Sequence, residues 1–197
     1  MKQFKPFEKQ EALDILNYQI EICEKCSLSA TRKHALTGEG NIDASILFVA
    51  LSPGIKEDAE NRMFIGPSGQ VFNKLLQIAD IERESVYMTN LVKCILPKNR
   101  KPKLNEIELC SSFLNDEIEI IQPQIIVPLG YYATRSIIIK YQADPSKAEM
   151  SFKNINGQLL FLDNMKIFPL THPSALLYNP SFEPKTRANY RKLKSLM

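Results

Sequence analysis

Asn90 stands four residues ahead of Cys94 in the stretch Thr89-Asn90-Leu91-Val92-Lys93-Cys94. The apolar run Val86-Tyr87-Met88 leads into it and reads as a buried strand. A carboxamide at the C-terminal mouth of such a strand can read the edge of a base or small ring, because ligands bind there in open α/β sheets. The cysteine ties the same loop to something else, and a metal centre is the expectation. His172, one of two histidines, sits at another strand end, where Lys166-Ile167-Phe168 runs into Thr171-His172-Pro173-Ser174. Taken singly these residues are unremarkable. Asn90 alone reads as a turn residue, and a lone histidine before proline is as often structural as chemical.

Every cysteine of the chain enters one pattern: Cys23-x2-Cys26, then Cys94, then Cys110. A pair at x2 spacing suits two thiolates on one metal centre, and two distant cysteines complete four-fold ligation. Cys23 and Cys26 lie in a polar context, which argues against four buried thiols. Spacing alone leaves structural zinc and an iron–sulfur cluster both open. Either would staple the N-terminal helix to the loops after Asn90.

The elements that must position these groups follow from periodicity. Residues 8–22 form an amphipathic helix with Leu13, Leu16 and Ile20 on its apolar face. Ile46-Leu47-Phe48-Val49-Ala50 is an apolar run of strand length, as for a strand covered on both faces, and Pro53-Gly54 turns the chain after it. Lys56 to Glu60 reads as an acidic exposed loop. Ser68 is the expected N-cap of a helix to about Ala79. Further helices are expected over 105–121, 131–140 and 182–196, the last a basic solvated face. Ile125 to Gly130 is the third buried strand, with Pro128 near its end. Asn156-Gly157 is read as a turn between short strands. This alternation predicts a three-layer α/β/α sandwich around a mainly parallel central sheet.

The chain has 197 residues, 44% hydrophobic and 24% charged, which suits a single soluble domain over 1–197. The net charge of +3 neither demands nor excludes nucleic acid. The opening residues Met1 to Pro6 lack the apolar run of a signal peptide, and no long apolar stretch follows. A cytoplasmic monomer without membrane contact is expected, and in that reducing setting the cysteines favour metal over disulfides.

In order along the chain, Gly38-Glu39-Gly40-Asn41, Arg62-Met63-Phe64-Ile65-Gly66-Pro67-Ser68-Gly69, Thr89 to Cys94, Asn99-Arg100-Lys101-Pro102 and His172-Pro173-Ser174-Ala175 resemble the motifs of family 4 uracil-DNA glycosylases. That family shows R-P-F-[VI]-G-x-[AS]-G, T-N-V-V-K-C and N-R-x-P followed by a cysteine. The resemblance runs from Cys23 to about Asn179. It implies a [4Fe-4S] cluster on Cys23, Cys26, Cys94 and Cys110, with zinc as the lesser alternative. It implies DNA as the partner and a monofunctional N-glycosylase that flips a base from the stack. Phe64 would stack on the flipped ring, and Asn90 would read its Watson–Crick edge. His172 would stabilise the departing base anion. Ser68, Gly69 and Ser174 would hold phosphates, and Leu176 would wedge into the vacated stack.

The first motif departs. The family has Gly-Glu-Ala-Pro-Gly where this chain has Ala50-Leu51-Ser52-Pro53-Gly54. Leu51 replaces a carboxylate beside the expected base site, which Gly54 would also line. Ser52 can hydrogen-bond a water but cannot act as a strong base near neutral pH. Uracil is the default substrate. Leu51 raises the alternative of a C5-substituted or hypermodified pyrimidine, such as those in modified phage DNA, with an antiviral role. A large substituent would require Ile55–Met63 or Tyr141–Asn154 to stand away from the pocket. A catalytically silent iron–sulfur DNA-binding module is the alternative of another class. No Lys/Arg-rich insert precedes His172, so no covalent adduct is expected.

Overall fold

The computed structural model describes residues 6–141, 151–162 and 165–196. The reading of residues 1–5, and most of the stretch Tyr141–Asn154, fall outside them.

Six strands form one sheet in the order β1-β3-β2-β4-β6-β5. They are β1 Glu39–Gly40, β2 Ile46–Ala50, β3 Tyr87–Asn90, β4 Ile125–Pro128, β5 Leu160–Leu162 and β6 Met165–Ile167. The four inner strands are parallel, while β1 and β5 close the edges antiparallel. The chain leaves β2 for β3 on one side and returns to β4 on the other, so loops part at the C-terminal end of β2. Such a switch point opens a crevice for ligands.

Helices cover both faces. On one side lie α1 (Pro6–Glu21), α4 (Leu104–Ile121) and α5 (Tyr131–Tyr141), packed on Leu47, Val49, Tyr87 and Ile126. On the other lie α3 (Pro67–Ile78) and α8 (Glu183–Lys194), which bury Phe72, Leu75, Tyr190 and Leu193 against Ile46, Phe48, Met88 and Val127. The alternation along β2 feeds both cores, which is why its sequence is apolar without a break. Each fully buried Leu, Val or Phe stabilises the sandwich by roughly 1.5–3 kcal/mol. Short helices α2 (Ile55–Glu60), α6 (Phe152–Ile155) and α7 (Ser174–Tyr178) lie in the loops.

Four local readings need correction. Lys56 to Glu60 belongs to α2, and its Glu57 and Asp58 are buried. Asp58 accepts the Lys33 N–H through both carboxylate oxygens at 3.1 Å, which anchors the helix to a distant loop. The N-cap of α3 is Gly66 rather than Ser68, because Pro67 takes the first helical position. Asn156-Gly157 follows α6 instead of joining two strands, and the Gly157 N–H donates to Pro169 O at 2.8 Å. Finally, β3 runs on through Thr89 and Asn90, so the amide is the last residue of the strand itself.

Candidate active site

The C-terminal ends of β2 and β3, the start of α3 and the loop after β6 surround one small pocket. Ser52, Pro53, Gly54, Phe64, Ser68, Asn90 and His172 line it, together with Ala50, Glu57 and Met63. Residues 120 positions apart in the chain are thus neighbours at one mouth of the sheet.

Phe64 is buried with φ 51°, a left-handed conformation that a bulky side chain adopts only when its surroundings impose it. Its ring lies on Phe72, centroids 4.3 Å apart and 18° from parallel, and stands 6.4 Å from the His172 ring. Gly69 makes this possible, since a Cβ there would fall 1.8 Å from the Phe64 carbonyl oxygen. One face of the ring is therefore braced by the core.

Asn90 is 2% exposed, and its Nδ2 donates to the Met63 sulfur at 3.2 Å. His172 accepts at Nδ1 from the Ser174 N–H at 3.1 Å and contacts Ser174 Oγ at 2.8 Å. The backbone donor makes Nδ1 the acceptor and leaves the proton on Nε2. Burial among apolar groups lowers the His172 pKa to about 4, so the ring is neutral at pH 7.

Glu57 was missed by the sequence reading. Its Oε1 accepts the Gly66 N–H at 2.8 Å, and its Oε2 lies so close to Gly54 that a Cβ there would approach to 2.5 Å. A carboxylate thus stands in the pocket, supplied by α2 rather than by the first motif. Two acidic residues just after Pro53-Gly54 are a helix-start signal, which could have flagged the element.

Other expected site residues fall differently. Leu51 is absent from the pocket lining and packs against the core formed by α1, α4 and α5. The period-2 alternation of β2 explains this, since Ala50 and Ser52 share one side and Leu51 takes the other. Ser174 is engaged by His172. Leu176 packs against the core beneath α3 and α8, while Leu177 and Tyr178 protrude, 47% and 85% exposed. Gly69 supports Phe64 from within the first turn of α3, and Ser68 reaches the pocket.

The four cysteines line a second pocket, floored by Ile20, Val92 and Phe113. None of the four is joined in a disulfide. Among the described residues no His, Cys, Asp or Glu group stands ready to hold a single ion. The donor chemistry nevertheless fits a thiolate-ligated group. The Arg32 guanidinium donates to Cys94 Sγ at 3.3 Å, and the Lys93 N–H to Cys110 Sγ at 3.3 Å. Such N–H···S contacts suit sulfur that carries negative charge. Arg100 places Cys110 indirectly: it pairs with the buried Glu106 in the first turn of α4, whose carboxylate also accepts the Lys103 N–H at 2.8 Å.

The sequence model of the uracil DNA glycosylase superfamily matches residues 37–194. The chain is 37% identical over 190 residues to the Type-4 uracil-DNA glycosylase of Saccharolobus solfataricus, covering 94% of this chain and 86% of that one. It is 37% identical over 178 residues to the Type-4 uracil-DNA glycosylase of Thermotoga maritima, with 90% and 89% covered. The Archaeoglobus fulgidus Type-4 enzyme is 31% identical over 190 residues, with 94% of each chain covered. Sheet, pocket and sequence define a DNA N-glycosylase, a hydrolase of N-glycosidic bonds. The chain belongs to the uracil-DNA glycosylase superfamily. Among its described residues no helix is long and apolar enough to cross a membrane.

Proposed function

We propose that the protein removes uracil from DNA by hydrolysing the bond between uracil N1 and the sugar C1′, leaving an abasic site. The observation that carries this reading is the convergence of Phe64, Asn90 and His172 on one pocket at the strand ends. The Type-4 uracil-DNA glycosylases aligned over most of the chain support the choice of base.

The base enters only after leaving the stack. Phe64, backed by Phe72, offers its ring to the base face. Asn90 can donate through Nδ2 and accept through Oδ1, which matches the 4-oxo and N3–H groups of uracil. As C1′–N1 breaks, the electron pair goes to the base and spreads onto its 2-oxo oxygen. A neutral His172 donates a hydrogen bond from Nε2–H to that oxygen without giving up its proton. The sugar becomes oxocarbenium-like, and water adds at C1′, its proton passing through solvent to the departing uracil anion. Glu57 is the carboxylate placed to orient that water and balance the cationic sugar, with Ser52 as a further hydrogen-bonding group.

Cys23, Cys26, Cys94 and Cys110 would hold a [4Fe-4S] cluster, which when bound supplies a structural cross-link between α1, the loop after β3 and α4. Zinc is the outcome that metal analysis distinguishes.

Neither a C5-substituted substrate nor a silent DNA-binding role has an observation in its favour. Leu51, on which the former rested, lies on the opposite side of β2 from the pocket. The test is to incubate the protein with single-stranded and duplex oligonucleotides carrying uracil, thymine or C5-substituted pyrimidines, and to identify released bases by mass spectrometry. Free uracil with a matching abasic site is the expected result. Binding without any release overturns the reading.

A further inference from the structure

Met63 is held on three sides. Its N–H donates to Glu39 Oε2 at 2.9 Å, its carbonyl accepts from Arg83 Nη2 at 2.7 Å, and its sulfur accepts from Asn90 Nδ2 at 3.2 Å. Glu39 is itself fixed by the guanidinium groups of Arg62 and Arg83. The side chain is 2% exposed and lines the pocket. The motif that this stretch resembles carries proline at this position. Proline has no N–H for Glu39 and no acceptor for Asn90.

We propose that Met63 is a specificity-determining residue that fixes which way round the Asn90 amide faces the base. This rests on the glycosylase reading above. A carboxamide distinguishes pyrimidines only if its two ends are assigned. With Nδ2 opposite the 4-position and Oδ1 opposite N3, it fits a 4-oxo, N3–H edge. Turned over, it fits a 4-amino edge with an unprotonated N3. The Met63 sulfur accepts a hydrogen bond and has none to give. It holds Nδ2 on its own side, and a turned amide would set Oδ1 against sulfur lone pairs. The clamp of Glu39 and Arg83 on the Met63 backbone keeps the sulfur from following. Met63 does not touch the reacting atoms in this role; it acts through Asn90.

The test compares kcat/KM for uracil and cytosine at one position of otherwise identical single-stranded oligonucleotides. Met63→Leu keeps the volume and apolar character and removes the acceptor. The wild type is expected to favour uracil strongly, and Met63→Leu to narrow the uracil-to-cytosine ratio at least tenfold with an unchanged Tm. Met63→Gln, whose carboxamide can both accept from and donate to Asn90, satisfies either amide orientation and is expected to leave the ratio narrowed as in Met63→Leu. Should Met63→Leu not fold, norleucine in place of all methionines makes the same exchange of sulfur for methylene. An unchanged ratio in the sulfur-free protein, or a fall in uracil release that only tracks a lower Tm, overturns the inference while the glycosylase reading stands. A wild type that releases neither base overturns both.

Discussion

The Ser174 backbone N–H points at His172 Nδ1 across 3.1 Å, which commits the imidazole to its Nε2–H form before any base arrives. Burial lowers the ring's pKa to about 4 from an unfolded value near 6.5. The unfolded chain therefore binds more protons between these values, and stability falls as pH drops from about 6.5 to about 4. Below about 4 both states are protonated and this contribution stops changing. His172→Gln is expected to remove the dependence, so wild type and variant should diverge by on the order of 1–3 kcal/mol over that window. Urea unfolding at pH 7, 5.5 and 4.5 measures it. Parallel pH profiles would show that His172 is not the group responsible.

Glu57 is expected to matter for the reaction more than for the fold. Glu57→Gln keeps an acceptor for the Gly66 N–H and removes the charge. Single-turnover uracil release should slow by about 10²–10³, within the usual range for a positioned acid–base group. Base affinity and Tm should change little. Glu57→Ala should also lose stability, since it orphans the Gly66 N–H.

Gly69→Ala tests whether the unusual backbone of Phe64 is imposed by its neighbour. The added methyl meets the Phe64 carbonyl at 1.8 Å, so one of the two segments must move. The expected cost is about 1–3 kcal/mol, as for overpacking elsewhere, with a larger loss of activity than of stability. Circular dichroism melts beside kinetics separate the two. A variant with wild-type kinetics would show that Phe64 tolerates displacement.

Metal content gives a direct check on the cysteine pocket. Purified protein is expected to be brown, with iron and inorganic sulfide in cluster proportion. Cys94→Ser should lose soluble yield, because removing one ligand of a folding-coupled centre removes folding energy. Stoichiometric zinc in a colourless protein would replace the cluster assignment.

What the sequence disclosed depends on how locally each feature is determined. The strand β2 was legible because both of its faces are buried and its apolar run is unbroken. Asn90 and His172 were legible because polar residues at the ends of such strands stand out. Glu57 was not, since Lys56 to Glu60 carries the charge of a solvated loop. Its partners, Gly66 for Glu57 and Lys33 for Asp58, lie 9 and 25 residues away and are met only in the fold. The side taken by Leu51 follows from strand alternation, but the motif comparison drew it into the pocket. Met63 carries no signal of its own in the sequence, because the contact of its sulfur with Asn90, 27 residues along the chain, exists only in the fold.

Lys93, which lines the cysteine pocket, forms a fully buried pair with Glu117, Nζ to Oε2 at 2.6 Å, and Thr89 Oγ1 donates to the same carboxylate at 2.8 Å. Glu117 lies on α4, which carries Cys110, while Thr89 and Asn90 end β3. The pair thus joins the strand that presents the amide to the helix that presents a cysteine. Desolvating two charges costs nearly as much as their attraction returns, so the pair adds little net stability. Removing one partner is different, because it leaves the other charged and alone in the core. Lys93→Met and Glu117→Leu are each expected to cost about 3–5 kcal/mol, whereas the double variant should recover most of that loss. If the double variant also holds the strand end in place, Asn90-dependent base discrimination survives in it. Chemical denaturation of the four proteins gives the coupling, and the uracil-to-cytosine ratio of the double variant reports on the strand end. Additive losses would mean that the two side chains stabilise the fold through separate packing rather than through each other.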